Sequence, residues 1–283
     1  MTILVTGASG NIGRCVVRQL VGAGQRVRAM SRTQLAAGVE VRYGDFERPA
    51  SWAHALDGVR RVYLFSAAPE GFIEAAVSAG VERFVTHSAA AAGFEEHDSE
   101  TALGRHLNEE RGFHRDLELA VEASGAEWTH VRPGLLAVNA LGWAEQICAE
   151  GVVRGPYGAA GYPWVHEADV AEIAVAALVT DDQLGAAYTL TGPAKVSQAE
   201  QMRAIGAAIG RELRYDEVGP DEARAQWQRE GLDEGTAEWL LALYADAVEG
   251  CGALPPTRTY EGLTGRSPRT FAQWARDHVR DFG

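Results

Sequence analysis

Through the first half of the chain, short runs of β-branched and apolar residues alternate with longer stretches whose apolar positions recur every three or four residues. This switch of period is what parallel strands joined by helical crossovers require. The run Ile3-Leu4-Val5 within Thr2–Thr6 is continuous, as a strand buried on both faces demands. Asn11–Ala23 follows with Ile12, Val16 and Leu20 on one stripe, which predicts an amphipathic helix. Further strands are predicted at Arg26–Met30, Val39–Arg42, Arg61–Phe65, Glu82–His87 and Glu127–Val131, and helices at Pro69–Ala79 and Arg105–Ala123. The order predicts an α/β fold built on a doubly wound parallel sheet, whose ligands sit outside the carboxyl ends of the strands.

Past Arg132 the rhythm loosens, and Pro133, Gly134, Gly151, Gly155, Pro156, Gly158, Gly161 and Pro163 punctuate short segments. Ala168–Leu178 reads as a helix, Ala187–Leu190 as a strand, Gln198–Ile209 as a helix, and the acidic stretch Asp221–Ala247 as helical. The pattern divides the chain into a nucleotide-binding core over residues 1–132 and a smaller, mainly helical substrate-binding region over residues 133–283, partly interwoven with the sheet. Trp143, Tyr157, Tyr162 and Trp164 cluster in the loose segment; they suit either an aromatic-lined substrate pocket or the core of that lobe.

A formal net charge of −13 argues against binding nucleic acid. No leader-like amino terminus or long apolar run is visible, so a cytoplasmic protein with no membrane partner is expected. Cys15, Cys148 and Cys251 form neither a disulfide framework nor a C-x-x-C pair, and read as small core residues in a reducing compartment. A single lysine, Lys195, among 26 basic residues suggests the composition of a GC-rich bacterium. His97, His106 and His114 lack metal-ligand spacing, so no metal is expected.

The strongest chemical signal is Gly7-Ala8-Ser9-Gly10-Asn11-Ile12-Gly13, a G-x-x-G-x-x-G run lying between the first predicted strand and the first predicted helix. In that place Gly7 makes the tight turn, Gly10 lets backbone approach a pyrophosphate and Gly13 lets the helix pack close to the strand, as in a Rossmann dinucleotide fold. Ser9 and the amides near Asn11 and Ile12 then face the phosphates at the positive end of the helix. The second strand ends in Ser31-Arg32-Thr33, without the acid that binds the ribose hydroxyls of NAD, so NADP(H) is expected over NAD(H), with Arg32 on the 2′-phosphate. Asp45 and Phe46 are placed at the adenine, with Asp45 alternatively a helix N-cap, and Ser66 and Ala67 beside the ribose or nicotinamide.

With those residues in place the chain resembles the NmrA-like group of atypical short-chain dehydrogenases/reductases. Val27-Arg28-Ala29-Met30-Ser31-Arg32, Gly44-Asp45-Phe46, Val81-Glu82-Arg83-Phe84-Val85, Glu118 ahead of Ser124-Gly125, Trp128-Thr129-His130-Val131-Arg132-Pro133, Val165-His166-Glu167-Ala168-Asp169-Val170-Ala171 and Ser267-Pro268-Arg269-Thr270-Phe271 extend the likeness over nearly the whole length. The resemblance implies NADP(H) binding and either a quinone-type reductase or a redox-sensing regulator that binds a protein partner. It also implies a Ser beside a Tyr-x-x-x-Lys pair. Ser88 takes the Ser position, but no Tyr lies between Tyr63 and Tyr157 and no Lys precedes Lys195. Glu110 and His114 fall where the pair belongs.

Ser88, His114 and His87 are therefore the candidate catalytic residues, an imidazole being able to act as acid or base near neutral pH. His114 is alternatively a helix-surface residue and His87 a structural one. The leading expectation is an NADPH-dependent oxidoreductase acting on a small aromatic, quinone-like or polyketide-type substrate, including one of secondary metabolism, since a strongly electrophilic acceptor needs little acid assistance. A homo-oligomer is compatible with the sequence.

Overall fold

The computed structural model describes residues 1–33, 39–249 and 254–283. Its first strand, β1 (Thr2–Val5), is buried at every position, which is why its apolar run is unbroken. It leads into α1 (Asn11–Gly22), whose Ile12, Val16 and Leu20 are buried as one stripe. Then come β2 (Arg26–Ser31), β3 (Glu40–Tyr43), α2 (Trp52–Leu56), β4 (Val59–Leu64), α3 (Glu70–Ser78), β5 (Arg83–His87), α4 (Ala102–Ala123) and β6 (Glu127–Pro133). These strands and a seventh, Ala186–Leu190, form one parallel sheet in the order β3-β2-β1-β4-β5-β6 followed by the seventh strand. The order reverses beside β1, the switch point where a doubly wound sheet binds its ligand.

The chain divides into two units. The first comprises residues 1–94, 110–133 and 167–190, and holds the whole sheet. One of its faces packs Leu4, Val62, Leu64 and Phe84 against Trp52, Leu56, Phe72, Ile73, Leu117 and Val121 of α2, α3 and α4. On the other face α1 lies against the helix Glu167–Val179. At the amino end of β5 the buried Arg83 clamps that helix's end through the carbonyls of Ala177 and Thr180, and pairs with Glu127 and Asp181.

The second unit comprises residues 95–109, 134–166 and 191–283. Its core joins Ile147, Val153, Met202, Ile205, Leu243, Phe271, Trp274 and Phe282. Tyr162 and Trp164 belong to this core and Trp143 packs on it. Their polar ends engage backbone or another ring: the Tyr162 hydroxyl donates to the Leu243 carbonyl at 2.6 Å, Trp164 Nε1 donates to the Val196 carbonyl at 2.9 Å, and Trp143 stands edge-on to Tyr215. Tyr157 instead lines a groove with Pro220, Arg224, Glu238 and Leu241.

Three expectations are corrected. α4 starts at Ala102 instead of Arg105, because the Thr101 hydroxyl accepts the Gly104 amide at 3.0 Å and caps the helix early. The acidic stretch is two helices, Pro220–Arg229 and Glu234–Glu249, broken where Gly231 takes φ +96° and Asp233 accepts the Thr236 amide. Cys15 is buried as expected, but Cys148 is exposed; Cys251 lies outside the described residues. Among the described residues no helix is long and apolar enough to cross a membrane.

Candidate cofactor and active site

The first unit gathers its candidate site at the carboxyl ends of β1, β2, β4 and β5. Gly7 leaves β1 with φ +61°, a conformation strained for any side chain, and accepts the Gly10 amide on its carbonyl at 3.0 Å. A Cβ on Gly13 would stand 2.1 Å from that same carbonyl oxygen, so α1 reaches the turn this closely only because residue 13 is glycine. Gly10 caps α1 without a side-chain hydrogen bond, and the first turn carries no acid. The opening amides of the helix therefore retain their positive end for an anion. Ser9 and Asn11 are exposed, whereas Ile12 turns its side chain into the core and offers only backbone. A cradle that a Cβ would fill, fronted by a helix end without acid, fits the pyrophosphate of a dinucleotide.

Beyond β2 the nearly buried Ser31 accepts the Thr33 amide at 3.1 Å and bends the chain, leaving Arg32 and Thr33 exposed. Arg26, Arg28 and Arg42 converge on Glu40, but among the described residues Arg32 has no carboxylate partner. An exposed guanidinium without a carboxylate can pair with an outside anion. Asp45 caps no helix: its carboxylate accepts the Glu47 amide, and the next helical turn begins at Pro49 behind Arg48. Trp52 Nε1 donates to the Asp45 carbonyl at 2.8 Å, and Phe46 packs edge-on to Phe72 with centroids 5.1 Å apart. After β4, Ser66 is half-buried and Ala67 exposed.

The polar part of the site is set on β5 and α4. Ser88 is 1% exposed, and its hydroxyl donates to Glu118 Oε1 at 2.6 Å. Arg132 grips the same carboxylate from two nitrogens, at 2.8 and 2.6 Å, and Arg115 reaches Oε2 at 2.9 Å. Burial alone would raise the Glu118 pKa; the hydrogen bonds from Arg132 and Ser88 outweigh it and hold the carboxyl at about 2. Arg115 also pairs with Glu122, which His130 meets at 3.3 Å. Glu118, Glu122 and His130 are close enough to share a cation, yet two guanidinium groups already occupy these carboxylates, so the cluster has the chemistry of an ion-pair network.

His87 and His114 are differently placed. His87 ends β5, with Nδ1 2.7 Å from the Tyr63 hydroxyl and its ring edge-to-face with Phe65. Burial, with His114 nearby adding to it, pushes its pKa down to about 4, so it is neutral at physiological pH. His114 is 7% exposed; Nε2 faces Glu110 at 3.5 Å, while Nδ1 is buried without a partner among the described residues. The Phe65 ring also covers Gly7, lying 3.0 Å from the place a Cβ there would take. Gly7, Phe65 and His87 thus lie in one continuous patch. Sequence reading missed Tyr63 and Phe65, since two aromatic residues inside a strand look like core; only their position at the strand's carboxyl end marks them.

Residues 7–181 match the NAD(P)H-binding family. The chain is 36% identical to the (4-alkanoyl-5-oxo-2,5-dihydrofuran-3-yl)methyl phosphate reductase of Streptomyces griseus, with 99% of each chain covered. It is 34% identical to the NAD(P)H azoreductase of Xenophilus azovorans, again over 99% of both. Among solved structures, the NADPH-dependent quinone oxidoreductase of Escherichia coli superposes with a TM-score of 0.76 at 26% identity, covering 98% of this chain and 99% of that one.

Proposed function

The chain belongs to the NAD(P)H-binding family, among the NmrA-like atypical short-chain dehydrogenases/reductases, and is an oxidoreductase; on that premise we propose that it uses NADPH to reduce a small, electron-poor aromatic or quinone-like molecule. The observation that carries the reading is His114, whose buried Nδ1 has no partner among the described residues, at the position where the resemblance places Tyr-x-x-x-Lys. A buried ring nitrogen left unpaired costs about 1–3 kcal/mol, a cost relieved when a ligand atom meets it.

The glycine loop and α1 would hold the pyrophosphate, Arg32 with Thr33 the 2′-phosphate, and Asp45 and Phe46 the adenine end. Bound NADPH would supply a hydride equivalent at the nicotinamide. His114 would protonate or hydrogen-bond the acceptor's oxygen, and the neutral His87 would donate a second hydrogen bond to it. Ser88 is committed to Glu118 and braces β5 against α4. Two weak donors in place of a Tyr–Lys pair suit an acceptor that takes hydride readily, and the relatives named for azo compounds and quinones act on acceptors of that kind. A polyketide-type substrate in secondary metabolism is the finer form of the proposal; the Streptomyces relative, named for a furanone phosphate, supports a small unsaturated carbonyl acceptor.

The test is a fluorescence titration with NADPH and NADH, followed by the loss of reduced-nicotinamide absorbance on adding benzoquinones, naphthoquinones, azo compounds and aromatic ketones. We expect NADPH to bind at least about tenfold tighter than NADH, Arg32→Asp to erase that preference, and His114→Ala to lower kcat by about a hundredfold. Absence of binding to either nucleotide overturns the proposal, as does unchanged turnover in His114→Ala.

A further inference from the structure

In the pairing of β4 with β5, Tyr63 stands opposite Val85. His87 lies two residues further along β5, on the same face of the sheet and toward its carboxyl end. The Tyr63 side chain, 1% exposed, thus reaches along the face to the imidazole. Its hydroxyl is 2.7 Å from Nδ1, and the two rings are edge-to-face with centroids 6.1 Å apart. Phe65 closes on the imidazole at 5.8 Å, also edge-to-face. One side of the ring is therefore fixed by a phenol and an aromatic clamp. Nε2 is the free side: His87 is half-buried, and among the described residues Nε2 has no protein partner.

We infer that Tyr63 is a positioning residue: its hydroxyl donates to Nδ1 of His87, which keeps the ring's proton on Nε2 and presents it to an acceptor oxygen of the ligand bound beside Gly7 and Phe65. The direction of the bond follows from what each partner has to satisfy. Among the described residues the Tyr63 hydroxyl makes this one hydrogen bond, so if the imidazole donated instead, a buried O–H would be left unmet. Burial acts the same way on both partners, holding the phenol protonated, with its pKa well above the ordinary value, and the imidazole neutral. A neutral imidazole with Nδ1 occupied carries its proton on Nε2. Such a donor suits an acceptor that carries partial negative charge, such as a quinone or carbonyl oxygen gaining hydride, because it gives a hydrogen bond without placing a full charge in the cleft.

This inference rests on the oxidoreductase reading for its catalytic consequence, but not for its structural core. The first measurement is therefore the ¹⁵N spectrum of histidine-labelled protein, with and without NADPH, His87 being assigned by the signal lost in His87→Gln. The wild type should show a single, fixed Nε2–H tautomer, and Tyr63→Phe should move both ring nitrogens toward tautomeric averaging. Tyr63→Phe should also lower kcat on the best quinone about fivefold with NADPH affinity within about twofold. The double variant Tyr63→Phe/His87→Gln should be no slower than His87→Gln alone, because Tyr63 acts through that ring.

A wild-type spectrum showing Nδ1–H overturns the inference even if Tyr63→Phe fails to fold. An unchanged tautomer in Tyr63→Phe, or additive losses in the double variant, also overturns it. If no acceptor in the panel is turned over, the functional reading fails, and the tautomer measurement still decides the role of Tyr63.

Discussion

The loop after β1 and the polar site between β5 and α4 belong to the same unit, yet they are built in opposite ways. The loop is made of backbone: its carbonyl at Gly7, its amides at the start of α1 and the missing side chains of Gly7, Gly10 and Gly13 set its shape. The polar site is made of buried side chains whose roles are set by which neighbour each one meets. Ser88 shows the difference. Its place after β5 makes it a candidate donor to substrate, but Glu118 lies 2.6 Å away and accepts its hydrogen bond. A backbone device does not depend on which side chain lies beside it, whereas each group of the polar site does.

The sharpest way to break the comparison is at Gly13. In Gly13→Ala the new Cβ would collide with the Gly7 carbonyl, so the turn must open and the amides lose their aim. We expect NADPH affinity to fall by more than about a hundredfold, read by fluorescence titration, with the helix content of the protein retained. Affinity within tenfold of the wild type would mean that the loop adapts and that side chains elsewhere supply the binding.

Next in size is Glu118→Gln. The amide cannot neutralise Arg132 and Arg115, and a guanidinium is left beside a buried neutral group. Breaking a buried ion pair from one side costs about 3–5 kcal/mol, measurable as a lower denaturant midpoint. A loss under about 1 kcal/mol would show that solvent already screens the pair, and would leave the carboxylate available for chemistry after all.

The same contrast explains what the sequence made legible. Strand order, the glycine loop and the acid-free end of β2 follow from local rules: a period of hydrophobicity, a turn that only glycine permits, a missing carboxylate. α4 began early only because Thr101 capped it, and the long acidic helix broke at Gly231; both are single-residue effects that periodicity averages away. The site's chemistry was less legible still. Glu118 and Arg132 are 14 residues apart and Tyr63 and His87 24 apart, so their pairing exists only once β4, β5 and β6 lie side by side. Trp143, Tyr162 and Trp164 make the complementary point: an aromatic cluster looks the same in sequence whether it lines a pocket or fills a core.

The smallest effect, and the finest probe of the polar site, is the acid dependence of stability. His87 has a folded pKa of about 4 against 6.5 for the free side chain, because burial first and His114 second disfavour its charge. Between those values the unfolded chain binds a proton that the folded chain refuses, so acid favours unfolding. The contribution is fully present above 6.5 and is lost as the pH falls toward 4. His130 is shifted the same way by burial, so the wild type alone cannot isolate His87. Glu118, held at about 2 against 4.5, loses its contribution at lower pH, mostly below this window. The informative quantity is the difference between the wild type and His87→Gln, whose stability should fall less steeply between pH 6.5 and 4.5 by about 1–2 kcal/mol, since the ring is only partly buried. Parallel curves would mean that the imidazole titrates as if in water. The clamp of Tyr63 and Phe65 would then be loose, and the contrast between a fixed backbone loop and a fixed side-chain site would reduce to the loop alone.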